Sequence, residues 1–302
     1  MEWLPAGIAA VLPRLLPGIL LFGIFFSRKK AFERRIIVDD PTEVAATRAR
    51  IVSDGFSKLH VVIDFDRTIT TFLHRGSPGA TCHNILEARR GEATLAACAA
   101  LNRHYYPFET SASLRNEEKV PHMKDWYSRV NGILAGCGIT REDLQEDVRL
   151  AGFSLRRGVM ELLHAAGRHG FPVTIFSAGI GDVIEEALRQ RCYGGMGAQL
   201  PPNVRVVSNR MQWEGAVCVG FSEKVLHPFN KNFREAADFL PPEYLEQLGS
   251  RSNVVVVGDG EGDANMADGL GASAVLKVGL LNDPSNTLLL DRYRRIFDVL
   301  CA

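Results

Sequence analysis

The sequence lacks several features that would assign it to a specialised class of protein. Its 302 residues carry 35 Lys and Arg against 35 Asp and Glu, so no basic excess is available to neutralise a nucleic-acid backbone. It has only six cysteines, and none forms a C-x-x-C pair or a zinc-ligand spacing. It also lacks repeats and low-complexity stretches. These absences exclude a disulfide scaffold, a collagen, a coiled coil and a nucleic-acid partner, and they favour a reduced, cytoplasmic setting.

What is present is the composition of an ordinary globular protein. Hydrophobic residues make up 46% of the chain and charged residues 23%. A chain of this length buries about three quarters of its extended surface on folding, so a large core is within reach. We expect a folded, monomeric catalytic part.

The only long apolar run lies at the N-terminus, in residues 1–30. Ala6–Phe26 contains a single charge, Arg14, and a basic cluster follows it directly. About 20 apolar residues suffice to cross a bilayer, and positive charges after the run keep the rest of the chain on the cytoplasmic side. Pro13 and Pro17 weaken this interpretation. A membrane anchor, an interfacial hairpin and a packed core helix stay open as interpretations.

Buried strands are indicated by short runs of β-branched residues that end at polar or glycine-rich positions. Continuous apolar runs of this kind suit strands of a parallel sheet that are covered on both faces. A hairpin-like segment is expected over 204–207 and 211–221. The predicted strands are Leu59–Ile63, Pro172–Phe176, Asn253–Val257 and Ala274–Val278. They predict an α/β fold, a Rossmann-type parallel sheet whose ligands bind beyond the carboxyl ends of the strands.

Between the first two strands the pattern becomes helical. Ala88–Arg103, Asn116–Gly132 and Arg141–Leu150 have amphipathic spacing and no buried-strand pattern. We therefore predict a helical cap domain over residues 76–153, inserted into a catalytic core formed by residues 31–75 and 154–302.

Carboxylates follow the first and third predicted strands. Asp64 and Asp66 lie two residues apart on an extended segment, so their side chains point the same way and repel each other unless a cation or proton lies between them. Asp259 and Asp263 follow the third strand in a glycine-rich loop. An oxygen-rich site of this kind suits Mg²⁺.

A phosphate site is indicated after the second predicted strand. Ser177-Ala178-Gly179 leads into a predicted helix over 183–190. A hydroxyl and free backbone N–H groups at a helix N-terminus bind anions. Lys231 precedes the third strand and can neutralise phosphate charge.

Other polar residues near these motifs have structural interpretations. We expect His60 at the surface and Asp182 as an exposed acid in the first turn of a helix, where the dipole favours it. Cys82 and His83 are interpreted as structural residues of the hinge, since no further His or Cys has a suitable ligand spacing.

The order of these motifs resembles that of the haloacid dehalogenase-like superfamily of phosphotransferases. Longer strings, above all Phe-Ser-Ala-Gly-Ile-Gly-Asp at 176–182, resemble the cytosolic 5′-nucleotidase III family. This family comprises pyrimidine and 7-methylguanosine-phosphate 5′-nucleotidases. The resemblance runs from Ile36 to the C-terminus and leaves the apolar N-terminus outside. Arg67, where the family usually has Met, and Gly260, in place of a frequent Ser, are departures that remove no reacting group.

The resemblance implies a Mg²⁺-dependent 5′-nucleotidase. Asp64 would attack phosphorus and form an aspartyl-phosphate. Asp66 would protonate the leaving ribose 5′-oxygen and then activate the hydrolytic water. Asp64, the backbone carbonyl of Asp66 and Asp259 would hold Mg²⁺. Nucleoside 5′-monophosphates would be the substrates.

The resemblance also implies which residues bind the phosphate. Ser177, Ala178, Gly179 and Lys231 would hold its oxygens, and Lys231 thereby joins the two aspartates in the catalytic set. Asp263 would orient Lys231 or a water on the metal.

The same resemblance places the nucleobase in the cap. Glu109 would accept hydrogen bonds from the base, while Trp126 and Tyr127 would form its pocket. A carboxylate favours a base that presents N–H groups, such as cytosine or 7-methylguanine. Tyr127 favours pyrimidines, CMP first, because the 7-methylguanosine branch tends to carry a second Trp there.

Three features leave other functions open. Tyr106-Pro107 and Pro121-His122-Met123 resemble the 7-methylguanosine branch, and Val130 stands where the pyrimidine branch often has Ser. A 7-methylguanosine-phosphate 5′-nucleotidase is therefore an alternative. So are another small-molecule phosphatase of the superfamily and a catalytically silent, membrane-tethered binding protein.

Overall fold

A single large sheet organises the protein. The computed structural model describes residues 35–195, 197–236 and 239–302. Within these residues, seven strands form the main sheet in the order β1-β11-β10-β9-β2-β5-β6. These strands are β1 (Ile36–Ile37), β2 (Leu59–Ile63), β5 (Val173–Ile180), β6 (Val204–Asn209), β9 (Asn253–Gly258), β10 (Ala274–Leu280) and β11 (Val299–Cys301).

All neighbouring strands of this sheet run parallel except β1 and β11, which pair antiparallel. Ile63 lies opposite both Ile175 and Val257, so β2, β5 and β9 present their carboxyl ends at one edge. The parallel-dominated α/β sheet and the four strands predicted from apolar runs are thereby confirmed. The polar residues that follow these strands meet at that edge.

The region after β5 differs from the sequence prediction. The strand continues beyond Phe176 to Ile180 through a register shift against β6. β6, predicted as part of a hairpin, is instead the edge strand of the main sheet. The hairpin consists of β7 (Met211–Glu214) and β8 (Val217–Phe221), while β3 (Leu73–His74) and β4 (Ser77–Pro78) form a second small ribbon.

Nine α-helices are assigned among the described residues. Five of them lie between β2 and β5 along the chain, and three of these five correspond to the amphipathic segments that the sequence predicted. The helices are α1 (Pro41–Asp54), α2 (Cys82–Glu87), α3 (Gly91–Thr110), α4 (Asn116–Ala135), α5 (Arg141–Leu150), α6 (Val159–His169), α7 (Gly181–Cys192), α8 (Pro242–Gly249) and α9 (Thr287–Tyr293).

The helical segment 76–153 is joined to the sheet by two adjacent connections. Thr70 and Leu155 form an isolated antiparallel bridge, and the Thr71 amide donates to the Ser154 carbonyl at 2.8 Å. The division into a cap domain over residues 76–153 and a core domain over the rest stays a prediction.

The core lies on both faces of the sheet. Every residue of β2 is buried, with Val61 and Ile63 in one apolar cluster and Val62 in another, as the two-residue period of a strand requires. The expectation that His60 lies at the surface is wrong. Its side chain is fully buried, and its Nε2 lies 2.8 Å from the Thr174 hydroxyl on the neighbouring strand.

The apolar N-terminal segment Ala6–Phe26 lies outside the described residues, so the anchor remains a prediction. None of the helices that the structure describes in residues 35–302 combines the length and hydropathy needed to cross a bilayer.

Candidate active site

A buried ion cluster occupies the carboxyl edge of β2 and β9. The ammonium group of Lys231 lies 2.5 Å from Asp64 Oδ1 and 2.7 Å from Asp263 Oδ1. All three side chains are buried. Burial by itself would lower the pKa of Lys231, but the charges of Asp263 and Asp64 raise it above its ordinary value. Lys231 is therefore held as a cation between two carboxylates.

Asp259 adds a third carboxylate to this cluster. Oxygens of Asp64, Asp259 and Asp263 all lie within 4.8 Å of one another. Burial raises the pKa of Asp64 well above its usual range, although the charge of Lys231 opposes the shift. Burial and the charge of Asp263 raise the pKa of Asp259 to about 7. One ammonium group does not balance three carboxylates, so this oxygen-rich cluster fits a divalent cation such as Mg²⁺.

Glycine makes the close approach of the two loops in this cluster feasible. A Cβ at Gly262 would lie 2.4 Å from the carbonyl oxygen of Pro228, on the loop that carries Lys231. At Gly258 a Cβ would lie 2.2 Å from the Cβ of Asp263. Both distances are below van der Waals contact, so larger residues would push the carboxylates away from Lys231.

Asp66 lies on the tight turn that follows Asp64. Its carboxylate accepts hydrogen bonds from the Cys82 backbone N–H at 3.0 and 3.3 Å. Burial raises the pKa of Asp66 to about 6, despite this hydrogen bond. A carboxyl group with a pKa in this range can both donate and accept a proton near neutral pH.

The phosphate-site residues lie at the end of β5. Ser177 is buried, and its hydroxyl oxygen accepts a hydrogen bond from the Gly179 amide at 3.0 Å. A Cβ at Gly179 would lie 2.8 Å from Cys82 Sγ, so this position requires glycine. α7 begins at Gly181, two residues earlier than the predicted helix over 183–190, so these residues lie just before its N-terminus. They form a turn within the bulged end of the strand.

Two of the predicted base-pocket residues, Glu109 and Tyr127, lie near charged groups of this region. Burial raises the pKa of Tyr127, and the charges of Glu109, Asp66 and Asp64 raise it further. Glu109 lies in the last turn of α3 and is half-buried. Burial raises its pKa, against the charges of Arg67 and Lys119. Tyr127 therefore lies within electrostatic reach of Asp64, Asp66 and Glu109, and Glu109 lies within reach of Arg67 and Lys119.

Trp126 joins this region through its neighbours. Its ring stacks on Tyr105 with centroids 6.0 Å apart and meets Tyr127 edge-on at 6.1 Å. Tyr127 in turn contacts His83 edge-on at 5.7 Å. These ring contacts connect the predicted base-pocket residues with His83, on the helix that begins at Cys82.

The expectation of an exposed Asp182 is wrong. Its carboxylate accepts hydrogen bonds from the Met211 amide at 2.9 Å and from Trp213 Nε1 at 3.0 Å. Asp182 is half-buried and fixes the β7–β8 hairpin to the start of α7.

Two residues at the site were missed in the sequence. Asn282 Nδ2 donates to Asp259 Oδ2 at 3.0 Å, and Arg156 Nη2 donates to the Arg67 carbonyl at 2.7 Å. Asn282 is the first side-chain amide after β10. The same rule that identified Asp64 and Asp259, a polar residue just beyond a strand, could have indicated it.

Comparison with known proteins identifies the family. Residues 67–302 match the model of the family described as pyrimidine 5′-nucleotidase (UMPH-1). The human 7-methylguanosine phosphate-specific 5′-nucleotidase is 31% identical over 268 residues, which cover 87% of this chain and 86% of the relative. The chicken (Gallus gallus) protein of the same name is 35% identical over 253 residues, with 82% and 83% covered.

A solved structure agrees with this assignment. The crystal structure of cytosolic 5′-nucleotidase IIIB bound to cytidine superposes with a TM-score of 0.73 and 28% sequence identity, covering 88% of each chain. The resemblance to cytosolic 5′-nucleotidase III is therefore confirmed. The chain belongs to the pyrimidine 5′-nucleotidase family and is a phosphoric monoester hydrolase.

Proposed function

We propose that this protein is a Mg²⁺-dependent 5′-nucleotidase that hydrolyses nucleoside 5′-monophosphates through an aspartyl-phosphate. The observation that carries the proposal is the buried contact of Lys231 with Asp64 and Asp263, within 4.8 Å of Asp259. This arrangement offers an anionic nucleophile, a cation for the phosphate and oxygen ligands for a metal in one place.

Asp64 is the proposed nucleophile. A carboxylate oxygen of Asp64 attacks phosphorus, the bond from phosphorus to the ribose 5′-oxygen breaks, and the phosphoryl group is carried on Asp64. Asp66 donates the proton that the 5′-oxygen takes up. In the second step Asp66 accepts a proton from water, whose oxygen displaces phosphate from Asp64. A pKa of about 6 for Asp66 suits both roles.

The proposed metal ligands are Asp64, Asp259 and the backbone carbonyl of Asp66. When bound, Mg²⁺ supplies positive charge that offsets the repulsion between the phosphate and Asp64. Asp263 keeps Lys231 directed at the site.

The proposed phosphate site combines Lys231 with the turn at the end of β5. Ser177, the Ala178 amide and Gly179 hold the remaining phosphate oxygens. In phosphoryl transfer such positioning and charge supply most of the stabilisation of the transition state.

We propose a base that presents N–H groups to Glu109, with CMP as the first choice. Support comes from the half-buried carboxyl group of Glu109, whose charge adds to burial in raising the pKa of Tyr127. The solved relative bound to cytidine supports a pyrimidine. Trp126 and Tyr127 would stack against the base, a contact worth about 1–3 kcal/mol.

A second candidate substrate is 7-methylguanosine 5′-monophosphate. The human and chicken relatives carry this substrate in their names. The 7-methylguanine base also presents N–H groups, so a carboxylate at Glu109 accepts hydrogen bonds from either base.

One experiment tests the reaction and the base together. Phosphate release is measured for CMP, UMP, 7-methyl-GMP and AMP, with Mg²⁺, with Ca²⁺ and with EDTA. We expect the highest kcat/KM for CMP, no activity in EDTA, and none with Ca²⁺, whose looser coordination misplaces the phosphate. Full activity without metal would contradict the site. A preference for 7-methyl-GMP would select the second candidate.

Asp64→Asn tests the covalent step. We expect it to abolish turnover while substrate binding persists, because the nucleophile is lost without a change in volume. Asp66→Asn should also disable the enzyme, because the leaving oxygen loses its acid and the hydrolytic water its base. Phosphoenzyme that does form should persist, since its hydrolysis lacks that base. Near-normal activity of Asp64→Asn would overturn the covalent mechanism.

We further propose a monomeric enzyme in the cytoplasm, with residues 1–30 as a membrane anchor. The cytosolic 5′-nucleotidase name of a solved relative supports the compartment, and the apolar run with basic residues after it supports the anchor. Deletion of residues 1–30 should release an active enzyme from the membrane fraction. A full chain found wholly in the soluble fraction would overturn the anchor.

A further inference from the structure

Arg156 and Asn282, which lie on other segments of the chain, donate hydrogen bonds to the turn that carries the proposed catalytic aspartates. Arg156 Nε donates to the Thr68 carbonyl at 2.9 Å and its Nη2 to the Arg67 carbonyl at 2.7 Å. Asn282 Nδ2 donates to the same Arg67 carbonyl at 3.1 Å. Three hydrogen bonds therefore fix two consecutive carbonyl groups of this turn.

This support acts where the backbone is strained. Arg67 has a φ of +63°, in the left-handed region. A residue other than glycine is disfavoured in that region by about 1–2 kcal/mol, and such a conformation persists when surrounding contacts hold it. The donors from Arg156 and Asn282 are contacts of this kind.

Asn282 also contacts the metal-site carboxylate. Its Nδ2 donates to Asp259 Oδ2 at 3.0 Å, while its Oδ1 accepts from Arg156 Nη2 at 3.0 Å. A flipped amide would place its oxygen against two acceptors and its NH₂ group against the guanidinium. The amide therefore has one favourable orientation, and Arg156 determines it.

The proposed metal ligands come from two separate elements, and this pair connects them. Asp64 and Asp66 lie on the turn after β2, whereas Asp259 lies on the loop after β9. Asn282 bonds to both elements at once, through the Arg67 carbonyl and the Asp259 carboxylate.

We propose that Asn282 and Arg156 are positioning residues that set the Mg²⁺ affinity of the site by holding Asp259 against the turn of Asp64. The inference rests on the proposed function, because it takes Mg²⁺ as the ion. Partners of this kind, which bond to a ligand and not to the metal, typically change metal affinity or activity by 10–100-fold when removed.

The test is a calorimetric titration of the substrate-free full chain with MgCl₂. We expect Asn282→Ala to raise the Kd for Mg²⁺ by about tenfold. Arg156→Lys keeps the charge but loses the planar fork that reaches three acceptors, and it should raise the Kd as well. In the double variant the Kd for Mg²⁺ should rise by less than the product of the two single-variant factors, since both residues act through one network.

A matched control removes an amide at the opposite end of the sheet. Asn203 Nδ2 donates to the Phe171 carbonyl at 3.1 Å, before the start of β6. Asn203→Ala should change the melting temperature without changing the Kd for Mg²⁺. Circular dichroism checks whether each variant is folded. If Asn282→Ala does not fold, Arg156→Lys provides the test.

The outcomes separate this inference from the proposed function. A wild-type chain that binds and requires Mg²⁺, with an unchanged Kd in the variants at positions 156 and 282, overturns the inference alone. Effects of the two substitutions that simply multiply overturn the shared network. A wild-type chain that does not bind Mg²⁺ overturns both the inference and the metal dependence proposed above.

Discussion

The ammonium group of Lys119 lies 5.1 Å from the centroid of the Phe229 ring, between helix α4 and the loop of the sheet domain that carries Lys231. Lys119 is buried, and it also donates a hydrogen bond to the backbone carbonyl of Glu109 at 3.1 Å. Phe229 precedes Lys231 by two residues. One side chain therefore contacts both the segment with the predicted base pocket and the loop with Lys231, the proposed phosphate-binding lysine.

Removal of this cation should weaken catalysis without touching a reacting group. A partly desolvated cation–π contact is worth about 0.5–2 kcal/mol. We expect Lys119→Met to lower kcat/KM for nucleoside monophosphates by a factor that corresponds to a similar free energy. Steady-state phosphate release measures this factor. Phe229→Leu should give a smaller loss, because it removes the cation–π contact and leaves the hydrogen bond from Lys119 to the Glu109 carbonyl. The double variant should lose little more than Lys119→Met alone, since both substitutions remove that cation–π contact.

Arg205→Met serves as the control for this contact. Arg205 lies over the Tyr244 ring at 5.2 Å, near the amino end of β6 and away from the site. It should leave kcat/KM unchanged. Equal kinetic effects of Lys119→Met and Arg205→Met would assign Lys119 a general structural role.

The hydrogen bonds of Asp182 predict an effect on stability. Asp182→Ala leaves the Met211 amide and Trp213 Nε1 without their acceptor, and hydrogen bonds to a charged group contribute about 1.5–3 kcal/mol. We expect the free energy of unfolding in urea to fall by that amount. Asp182→Asn keeps an acceptor oxygen and should lose less. An equal loss in both variants would show that the charge, not the hydrogen bonding, stabilises this junction.

Buried imidazoles predict a pH dependence of stability. Burial lowers the pKa of His60 to about 3, and that of His83 and His227 to about 4. In the unfolded chain a histidine titrates near 6.5. Below that pH the unfolded state binds protons that the folded state does not, so these groups lower stability as the pH falls. The raised pKa values of the site carboxylates act in the opposite direction.

A comparison of variants isolates the histidine contribution. His60→Gln should reduce the slope of the unfolding free energy against pH, between pH 4 and 6, by about 1.4 kcal/mol per pH unit. Urea unfolding at several pH values measures this slope. His104→Gln, at an exposed ring, is the control. An unchanged slope in His60→Gln would mean that His60 is protonated in the folded state.

The parts of the fold that the sequence predicts well are those determined by short-range patterns. Leu59–Ile63 and Asn253–Val257 are recognisable as buried strands because apolar residues fill four of the five positions in each. The carboxylates after them could be placed at one edge because parallel strands end there together. His60 was misplaced because its partner, Thr174, lies on another strand.

Long-range hydrogen bonds explain the other differences. The hydrogen-bond donors to Asp182 lie on a hairpin that begins almost 30 residues later in the chain. Asn282 donates a hydrogen bond to a turn more than 200 residues earlier. No local pattern encodes such contacts. The helix predicted from residue 183 begins two residues earlier, at Gly181, because the low helix propensity of glycine hides the first turn in the sequence.

Glu109 provides the sharpest test of how the base is recognised. Its carboxyl group is half-buried in the last turn of α3, and the charges of Arg67 and Lys119 act on it. Loss of a hydrogen bond to a charged group costs about 1.5–3 kcal/mol. We expect Glu109→Ala to raise KM for CMP and to lower kcat/KM by the factor that corresponds to this free energy.

Substrates without a base separate recognition from structure. Hydrolysis of a simple phosphate monoester should change little in Glu109→Ala, because Asp64, Asp66 and Lys231 are untouched. Glu117→Ala, at an exposed position of α4, is the matched control and should leave both substrates unaffected. If Glu109→Ala loses activity on CMP and on the simple ester equally, the carboxylate supports the fold of the helical segment and does not bind the base. A loss on CMP and 7-methyl-GMP with the simple ester unaffected assigns Glu109 to the base, since both bases present N–H groups to a carboxylate.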